Sequence, residues 1–445
     1  MMRFDLTIRK TKEAVRRWTC FSHVNETTII RDVYGKIALL FDLDASVSTG
    51  DKDSIRQSME AELGNYFQGK IYYKPDDAND IVTAMIQEIE RLRIPDDEDG
   101  KWYVLERAIA KKAWIDCSFE EQAIWPYEQA VEGAKPKVVT FYSFKGGMGR
   151  TTALAATALC LAKQGKHVLM IDTDVEAPGL ASLFVEEGSV RCGVVDYLLE
   201  CNLNHESIDM EDYLIQIADP VLTSELTGSL FVVPSGVIDA DYLQKLARID
   251  FQDTVPGSLK DRICRLIEDA VERIGRAYKI DYVLLDARAG FHDMGGIVTT
   301  QIPHGAVVFG KDSRQSWQGL GLVIRAISAM QQDRPLLAIV DGVCGQNGIV
   351  SAAEKKSFTD EAYTICSDVY YGADEPQPGI EAQDEAHSPI FVSYQPALSA
   401  GFELFTEGSV ERDEHVEQLK SLLMGKEYQQ ICNRILQWFH EGVRE

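Results

Sequence analysis

The sequence has few of the features that mark membrane, secreted or zinc-binding proteins. No apolar run approaches the roughly 20 residues that a membrane-spanning helix needs, and residues 1–15 are too charged for a secretory signal. The nine cysteines are scattered singly without a C-x-x-C pair, and the eight histidines form no H-x-x-x-H pattern. We therefore expect a cytoplasmic protein whose cysteines are small core residues.

Basic residues are also scarce. The chain has 45 lysines and arginines against 70 aspartates and glutamates, a net charge of −25. Such a chain repels a phosphate backbone unless one face is locally basic, so nucleic acid is disfavoured as a direct ligand. The densest basic stretch, residues 9–17, is either a binding patch or a solvated helix face. It lacks interleaved aromatic residues for base stacking, which favours the helix face.

A glycine-rich turn follows an apolar stretch in residues 138–152 and leads into an apolar helix. This is the arrangement of a phosphate-binding loop, in which backbone N–H groups converge on phosphate oxygens. The Thr151 hydroxyl is then placed to bind Mg²⁺. A glycine-rich turn without a ligand is the alternative. The residues predicted to contact the nucleotide are Lys145, Gly146, Gly147, Met148, Gly149, Arg150, Thr151 and Thr152.

The loop departs from the G-x-x-x-x-G-K-[ST] pattern at two positions, because Phe144 replaces the first glycine and Arg150 replaces the lysine. Lys145, directly before the paired glycines, resembles the early lysine of the deviant Walker A loop in ParA/MinD ATPases, K-G-G-x-G-K-[ST]. The arginine resembles a K-G-G-x-G-R-T branch. The resemblance implies a nucleotide sandwich dimer in which Lys145 acts in trans and Arg150 in cis. A guanidinium can bridge two phosphate oxygens, so binding should survive, with slow hydrolysis.

Two carboxylates, Asp172 and Asp174, follow the apolar stretch 168–172. Ligands of open α/β sheets bind at such strand ends. The resemblance to ParA/MinD continues here with a D-x-D pattern, and implies that Asp174 positions the attacking water while Asp172 supports Mg²⁺ from its outer shell. A carboxylate near the γ-phosphate can in any case hold a water for in-line attack. The alternative is that both aspartates only cap the following turn.

Asp286 ends the apolar stretch 282–286 in the Walker B form, so we predict that it binds Mg²⁺ through water. The continuation resembles the D-[SA]-R-x-G…D-x-G-G-I stretch of the K-G-G-x-G-R-T branch. We therefore place a γ-phosphate-sensing switch at Arg288 and Gly290. Arg288 would either stabilise transition-state charge or pair with an acidic neighbour.

The nucleotide base is poorly defined by the sequence. The resemblance places base recognition near Asp341-Gly342 and residues 393–396. An aspartate there would accept hydrogen bonds from guanine or cap a turn. The residues alone do not separate ATP from GTP, and ATP follows only from the resemblance.

From residue 136 onward, short apolar stretches alternate with helices, which predicts a doubly wound, mostly parallel α/β sheet of the P-loop NTPase class. We predict strands at 168–172, 230–234, 282–286, 305–309 and 336–340, and a last helix at 426–441. The apolar stripe of that helix, which contains Ile431 and Ile435, would pack on the core or lie on a membrane. The ATPase domain is predicted to span 136–445, although the resemblance becomes vague beyond 350.

Residues 1–135 are predicted to form a separate α/β or α+β domain of unknown role. Strands are expected at 36–42 and 70–74, and helices at 51–66, 78–92 and 102–114. A strand end at Asp42 and Asp44 resembles the nucleophile motif of haloacid-dehalogenase phosphatases or the D-x-D of metal-dependent nucleases. A capped strand end is the favoured alternative, because a complete set of catalytic partners is missing.

Together these features predict a Mg²⁺-dependent ATPase with ATP as its nucleotide, whose ATP-bound homodimer presents a surface to a protein partner. The K-G-G-x-G-R-T branch is similar to proteins of bacterial signalling and conflict systems, which implies a partner from the same operon and an antiphage role. The alternatives are a structural or regulatory nucleotide-binding subunit with little hydrolysis, a DNA-partitioning or positioning ATPase, and a metabolic ligase or kinase. No membrane partner is expected.

Overall fold

The computed structural model forms two compact units, Met1–Ala110 and Lys111–Glu445. It describes residues 2–44, 47–74, 80–96, 100–115, 135–186, 188–203, 208–249, 251, 258–329, 334–345, 350–372, 377–399, 401–406 and 410–440. The sequence places the domain boundary near residue 135, and residues 116–134 lie outside the described ranges. The assignment of residues 1–135 to one domain therefore stays a prediction.

Unit 1 contains a mixed five-stranded sheet covered by helices on both faces. Its strands are β1 (Val24–Arg31), β2 (Ile37–Leu43), β3 (Phe67–Tyr73), β4 (Ile94–Pro95) and β5 (Trp102–Glu106), in the order β3-β2-β1-β5-β4. Its helices are α1 (Thr7–Arg16), α2 (Thr49–Leu63) and α3 (Asp80–Leu92). One core includes Ile29, Leu39 and Ile55, and a second core on the other face includes Leu40 and Ile89.

The helix predicted for residues 102–114 is wrong. The first part of this stretch is strand β5, which pairs in parallel with β1. Trp102 and Val104 face the first core of unit 1, and Leu105 faces the second. This alternation is what a strand buried on both faces requires, and aromatic and β-branched residues favour it.

Unit 2 contains an eight-stranded sheet, and within the part of the chain that the structure describes only the edge strand β8 is antiparallel to its neighbour. The strands are β6 (Lys137–Ser143), β7 (Val168–Asp172), β8 (Ile215–Ile217), β9 (Leu230–Val233), β10 (Tyr282–Asp286), β11 (Gly305–Gly310), β12 (Leu336–Cys344) and β13 (Ile390–Ser393). Their order is β13-β12-β11-β6-β10-β7-β9-β8. The predicted doubly wound α/β fold class is confirmed.

Helices cover both faces of this sheet, over one apolar core on each face. They are α4 (Lys112–Ile115), α5 (Arg150–Lys163), α6 (Val194–Leu203), α7 (Pro220–Thr223), α8 (Tyr242–Leu246), α9 (Leu259–Gly275), α10 (Asp293–Gly296), α11 (Arg314–Ser328), α12 (Ala352–Ile365), α13 (Pro396–Ser399), α14 (Val410–Leu423) and α15 (Lys426–Trp438). Short 3₁₀ turns lie at Phe4–Leu6, Phe21–His23, Gly64–Tyr66, Ala181–Leu183 and Met210–Asp212, and π-helical turns at Ile297–Gln301 and Cys366–Tyr370.

The last helix packs on the protein core. Ile431 and Ile435 of α15 are fully buried in the same core as the helix that follows the glycine-rich loop. The packing interpretation of its apolar stripe is therefore confirmed. Among the described residues, no helix combines the length and apolarity needed to cross a membrane.

The parallel strands β6, β7 and β10 lie side by side and end at one edge of the sheet. In the register of the sheet, Asp286 at the end of β10 pairs with Asp172 at the end of β7 and with Phe141 of β6. The sheet thus brings the two carboxylates and the glycine-rich loop to the same place, which is where open α/β sheets bind ligands.

Candidate nucleotide-binding site

The glycine-rich loop connects the end of β6 to the start of α5. Gly147 and Gly149 have φ angles of 75° and 73°, in the left-handed region that other residues rarely adopt. Gly149 directly precedes the first helical residue, so the loop turns sharply into the amino terminus of α5. The helix dipole and the free N–H groups of its first turn make this end favourable for a phosphate group.

Phe144, which replaces the first glycine of the common pattern, packs against α11. A β-carbon placed on Gly319 of that helix would lie 2.1 Å from the Phe144 ring. The ring therefore packs directly on the helix backbone, in the space that a side chain at position 319 would fill. The ring also contacts Phe291, with ring centroids 5.2 Å apart. Phe144 therefore anchors the loop to its surroundings.

Lys145 and Arg150 have different surroundings. Lys145 is half-buried, and within the described ranges its side chain makes no hydrogen bond or ion pair. Arg150 is nearly buried, with Nε 2.5 Å from Asp286 Oδ1 and one terminal nitrogen 2.9 Å from Asp174 Oδ2. Burial opposes the charged guanidinium, but the carboxylates of Asp286 and Asp174 outweigh it and raise the pKa of Arg150.

Asp174 also contacts the segment after β10, residues 287–296, which we name the switch segment. Arg288 Nη1 lies 3.3 Å from Asp174 Oδ1, and its Nη2 lies 2.8 Å from Glu176 Oε2. His292 Nε2 lies 2.9 Å from the other oxygen of Glu176. Arg288 thus pairs with acidic neighbours, as one of its two predicted interpretations had it. Asp174 therefore contacts the switch segment directly through Arg288, and Glu176 joins Arg288 to His292.

Asp172 caps the turn that follows β7. Its carboxylate accepts hydrogen bonds from the backbone N–H groups of Asp174, Gly179 and Leu180, at 3.0 to 3.1 Å. These are the contacts of the turn-cap alternative, and the supporting role toward Mg²⁺ stays a prediction. Burial, followed by the negative charge of Asp286, raises the pKa of Asp172 to about 7.

Asp286 and Thr151 are the residues best placed for Mg²⁺. The Thr151 hydroxyl donates to Asp286 Oδ2 at 2.7 Å, so a hydroxyl and a carboxylate oxygen converge beside the loop. Burial raises the pKa of Asp286, although Arg150 and Thr151 oppose this shift. The described residues include no cluster of three or more His, Cys, Asp or Glu side chains that could hold a metal alone. One carboxylate and one hydroxyl still fit Mg²⁺, which keeps waters and binds substrate phosphates.

The other predicted site residues lie in the glycine-rich loop, at the start of α5 and in the switch segment. Gly290 has a φ of 74°, and its carbonyl accepts a hydrogen bond from the Tyr142 hydroxyl at 3.1 Å. Gly146 is exposed, while Met148 and Thr152 are half-buried. Sequence reasoning missed Glu176 and His292. Glu176 is only two positions beyond the D-x-D pair, and this spacing of a third acidic residue could have indicated that it belongs to the site.

Of the two regions considered for base recognition, the turn after β13 is fixed by the carboxyl-terminal helix. The Ser393 N–H and hydroxyl both donate to the Glu427 carboxylate, at 2.8 and 2.6 Å. Asp341, in the other region, is 3% exposed, and its Oδ1 has no hydrogen-bond partner among the described residues. Burial, followed by the charge of Asp312, raises the pKa of Asp341 to about 7.

Asp341→Asn is expected to stabilise the protein increasingly as the pH rises. The Asp341 carboxyl has a pKa near 4 in the unfolded chain and about 7 in the folded protein. The wild type therefore has its full stability below about pH 4 and loses part of it as the pH rises from 4 through about 7, because the buried carboxyl must then ionise. The variant has no such loss and should gain about 1–2 kcal/mol over the wild type between pH 5 and 8. Urea unfolding of both proteins checks this, with Asp360→Asn in an exposed helix as control. A stability difference that is constant with pH would contradict it.

The candidate sites of unit 1 are ion-paired. Lys74 Nζ lies 2.6 Å from Asp42 Oδ2 and 2.5 Å from Glu90 Oε1, so Asp42, the last residue but one of β2, is held in a salt bridge. Ala45, Ser46 and residues 76–77 lie outside the described residues. In the basic stretch, Lys10 pairs with Glu13 and Arg17 with Glu62, which supports the solvated helix face.

Comparison with known proteins finds relatives of unit 2. A family model for an AAA domain matches residues 136–334. The sporulation initiation inhibitor protein Soj of Bacillus subtilis is 34% identical over 150 residues, which are 34% of this chain and 49% of that protein. The septum site-determining protein MinD of Buchnera aphidicola is 32% identical over 99 residues, 22% of this chain and 32% of that protein. Residues 136–334 match an AAA domain and are similar to ParA/MinD-type P-loop ATPases.

The resemblance predicted from the glycine-rich loop is thus confirmed at the level of the family. A solved ParA family ATPase from Chlorobium tepidum is similar to this chain with a TM-score of 0.42 and 17% identity, covering 67% of this chain and 98% of that one. The chain spans about half the length of the first curated relatives that it matches, 46% to 49%. The matched range, residues 136–334, lies within unit 2 and leaves unit 1 unassigned.

Proposed function

We propose that this protein is an ATP-driven dimeric switch. ATP and Mg²⁺ bind at the glycine-rich loop of the ParA/MinD-type domain, two copies close around the nucleotides, and slow hydrolysis separates them. The observation that carries this proposal is the convergence of the loop, Thr151, Asp174 and Asp286 at one edge of the parallel sheet. The cytoplasmic location predicted from the sequence is part of this proposal.

Each side chain then has a defined task. The backbone of the loop and the amino terminus of α5 would bind the phosphates, and Thr151 and Asp286 would hold Mg²⁺, which neutralises phosphate charge. Asp174 would accept a hydrogen bond from the attacking water. Lys145, which makes no ion pair within the described ranges, would reach the phosphates of the second copy, as the early lysine does in the family it resembles.

Arg150 must change partners in this scheme. Its guanidinium is paired with Asp286 and Asp174, two of the groups that the reaction would use. A triphosphate offers it stronger bidentate partners. When Arg150 turns to the phosphates, Asp286 becomes available to Mg²⁺ and Asp174 to water. Exchange of these ion pairs is a reason to expect slow turnover.

The same observation favours a second candidate function. If Arg150 keeps its bonds to Asp174 while nucleotide is bound, Asp174 cannot hold a water. The protein would then be a nucleotide-binding regulatory subunit with little hydrolysis. Tight ATP binding without phosphate release would select this candidate.

The test is the molar mass of the purified full-length chain in solution, measured by light scattering with no nucleotide, with ADP, and with ATP plus Mg²⁺. Phosphate release is followed in parallel. We expect a monomer without nucleotide, a dimer with ATP, and phosphate release slower than about one per second, below the usual enzyme range. A mass that does not depend on nucleotide would refute the switch. Mass change without hydrolysis would select the regulatory subunit.

The partner of the switch would be a protein. The net charge of −25 disfavours direct DNA binding, so the DNA-partitioning and positioning roles are less consistent with this chain. We propose a partner encoded in the same operon, within a bacterial signalling or antiphage system. A metabolic ligase or kinase is the remaining alternative, and it requires turnover that depends on a small substrate.

A further inference from the structure

Residues 111–115, which we name the clamp segment, pack against the switch segment of unit 2. The clamp segment lies outside the range of the matched ATPase domain and directly follows the last residue of unit 1, Ala110. It contains α4, whose Ala113 is buried in the core of unit 2. The chain therefore leaves unit 1 through a segment that belongs structurally to the ATPase.

Hydrogen bonds fix the clamp segment to the beginning of α10. The backbone N–H of Lys111 donates to the Asp293 carboxylate, and Lys111 Nζ lies 2.8 Å from its other oxygen. Trp114 Nε1 donates to the carbonyl of His292 at 2.8 Å. The Thr300 hydroxyl is shared between the carbonyls of Gly296 at 2.9 Å and Ala113 at 3.1 Å. These hydrogen bonds hold the clamp segment in a fixed position relative to residues 292–300.

The fit between the two segments is tight. A β-carbon on Gly296 would lie 2.9 Å from both the Ala113 β-carbon and Trp114 Nε1, so the contact exists only because residue 296 is glycine. Lys111 has a φ of 67°, a left-handed conformation that is unfavourable for a non-glycine residue. The bonds to Asp293 hold this residue in place, and their loss would let it relax.

The clamp segment also reaches the glycine-rich loop through aromatic rings. The Trp114 ring lies 5.3 Å from that of Tyr142 and 5.4 Å from that of Phe291. Phe291 in turn contacts Phe144, the residue directly before Lys145, at 5.2 Å. A movement of the loop or of residues 287–296 would therefore displace the tryptophan.

Charged contacts complete the connection from the water-positioning aspartate. Asp174 contacts Arg288, Glu176 bridges Arg288 and His292, and the carbonyl of His292 accepts the Trp114 N–H. A γ-phosphate beside Asp174 would compete with this carboxylate for Arg288, and an attacking water would compete with Arg288 for the carboxylate. Each step of the chain is a contact of 3.3 Å or less.

We propose that the clamp segment transmits the nucleotide state of the ATPase to unit 1. This inference rests on the proposed function, because it requires that ATP binds at the loop and moves the switch segment. Lys111 and Trp114 are positioning residues in this scheme. They hold the clamp segment on the switch segment, and the covalent continuation of the chain carries the displacement to β5, which ends at Glu106.

Hydrogen-exchange mass spectrometry of the full-length protein tests this, without nucleotide and with ATP plus Mg²⁺. In the wild type we expect ATP to change exchange in residues 287–300, in the clamp segment and in residues 102–110. The variants are Lys111→Met, which removes the ion pair, and Trp114→Phe, which keeps a ring but removes the N–H donor. Ile115→Ala is the matched control, since its side chain is exposed on the same segment.

In either variant, ATP affinity and the change in residues 287–300 should stay within about threefold of wild type, while the change in residues 102–110 falls at least about twofold. An undiminished change in residues 102–110 in both folded variants would overturn the inference and leave the proposed function intact. A wild type that binds ATP without any change in residues 102–110 would do the same. If the wild type does not bind ATP, the proposed function and this inference both fail.

Discussion

Lys145→Ala is expected to lower ATP turnover at least about 100-fold, while the affinity of the protein for ATP changes by less than about tenfold. The reason is that the early lysine is expected to stabilise the charge that develops on the phosphates of the second copy. A group that acts mainly in the transition state contributes to turnover more than to binding. In this structure Lys145 is not committed to any carboxylate within the described residues, so the substitution removes no ion pair there.

Phosphate release and equilibrium ATP binding, measured on the same preparations, check this result. Lys163→Ala is the matched control, because Lys163 ends the same helix α5 and pairs on the surface with Glu225. Affinity and turnover that fall together would show that Lys145 binds ATP within its own subunit. An unchanged turnover would remove it from the machinery.

Asp174→Ala is expected to trap the ATP-bound dimer. Without the carboxylate that positions water, hydrolysis should slow by at least about 100-fold. The substitution also frees Arg150 and Arg288 from their shared acidic partner. The positive charge near the γ-phosphate is then less neutralised, so ATP should bind at least as tightly as in the wild type.

Light scattering after gel filtration, in the presence of ATP and Mg²⁺, measures the dimer fraction over time. The wild type should return to monomer as its ATP is consumed, and the variant should remain dimeric. Asp212→Ala removes a surface ion pair with Arg191 and serves as control. A variant that is monomeric with saturating ATP would contradict the sandwich arrangement.

The sequence predicted the central strands of unit 2 almost to the residue, because parallel strands buried on both faces are continuous apolar runs. The strand at Val168–Asp172 and the strand at Tyr282–Asp286 have the predicted bounds. The loop was predictable for a different reason. Its glycine spacing is dictated locally by the backbone conformation that phosphate binding needs, as at Gly149.

What escaped prediction depends on contacts between residues far apart in the chain. The helix predicted where β5 lies is wrong because pairing with β1, and not the local sequence pattern, decides the conformation of these residues. The partners of Arg150 were not foreseen for the same reason, since Asp286 lies 136 positions away. The hydrogen bond from Trp114 to the carbonyl of His292 joins positions separated by 178 residues, and no local sequence pattern predicts it.

The contact of Phe144 with Gly319 has a consequence for protein engineering. Converting the loop to the common pattern by Phe144→Gly would leave a void against α11, and adding a side chain at position 319 alone would collide with the ring. Each change by itself is expected to destabilise the protein. A mutant library selected for function should therefore recover changes at these two positions together: a small residue at position 144 should occur with a larger one at position 319.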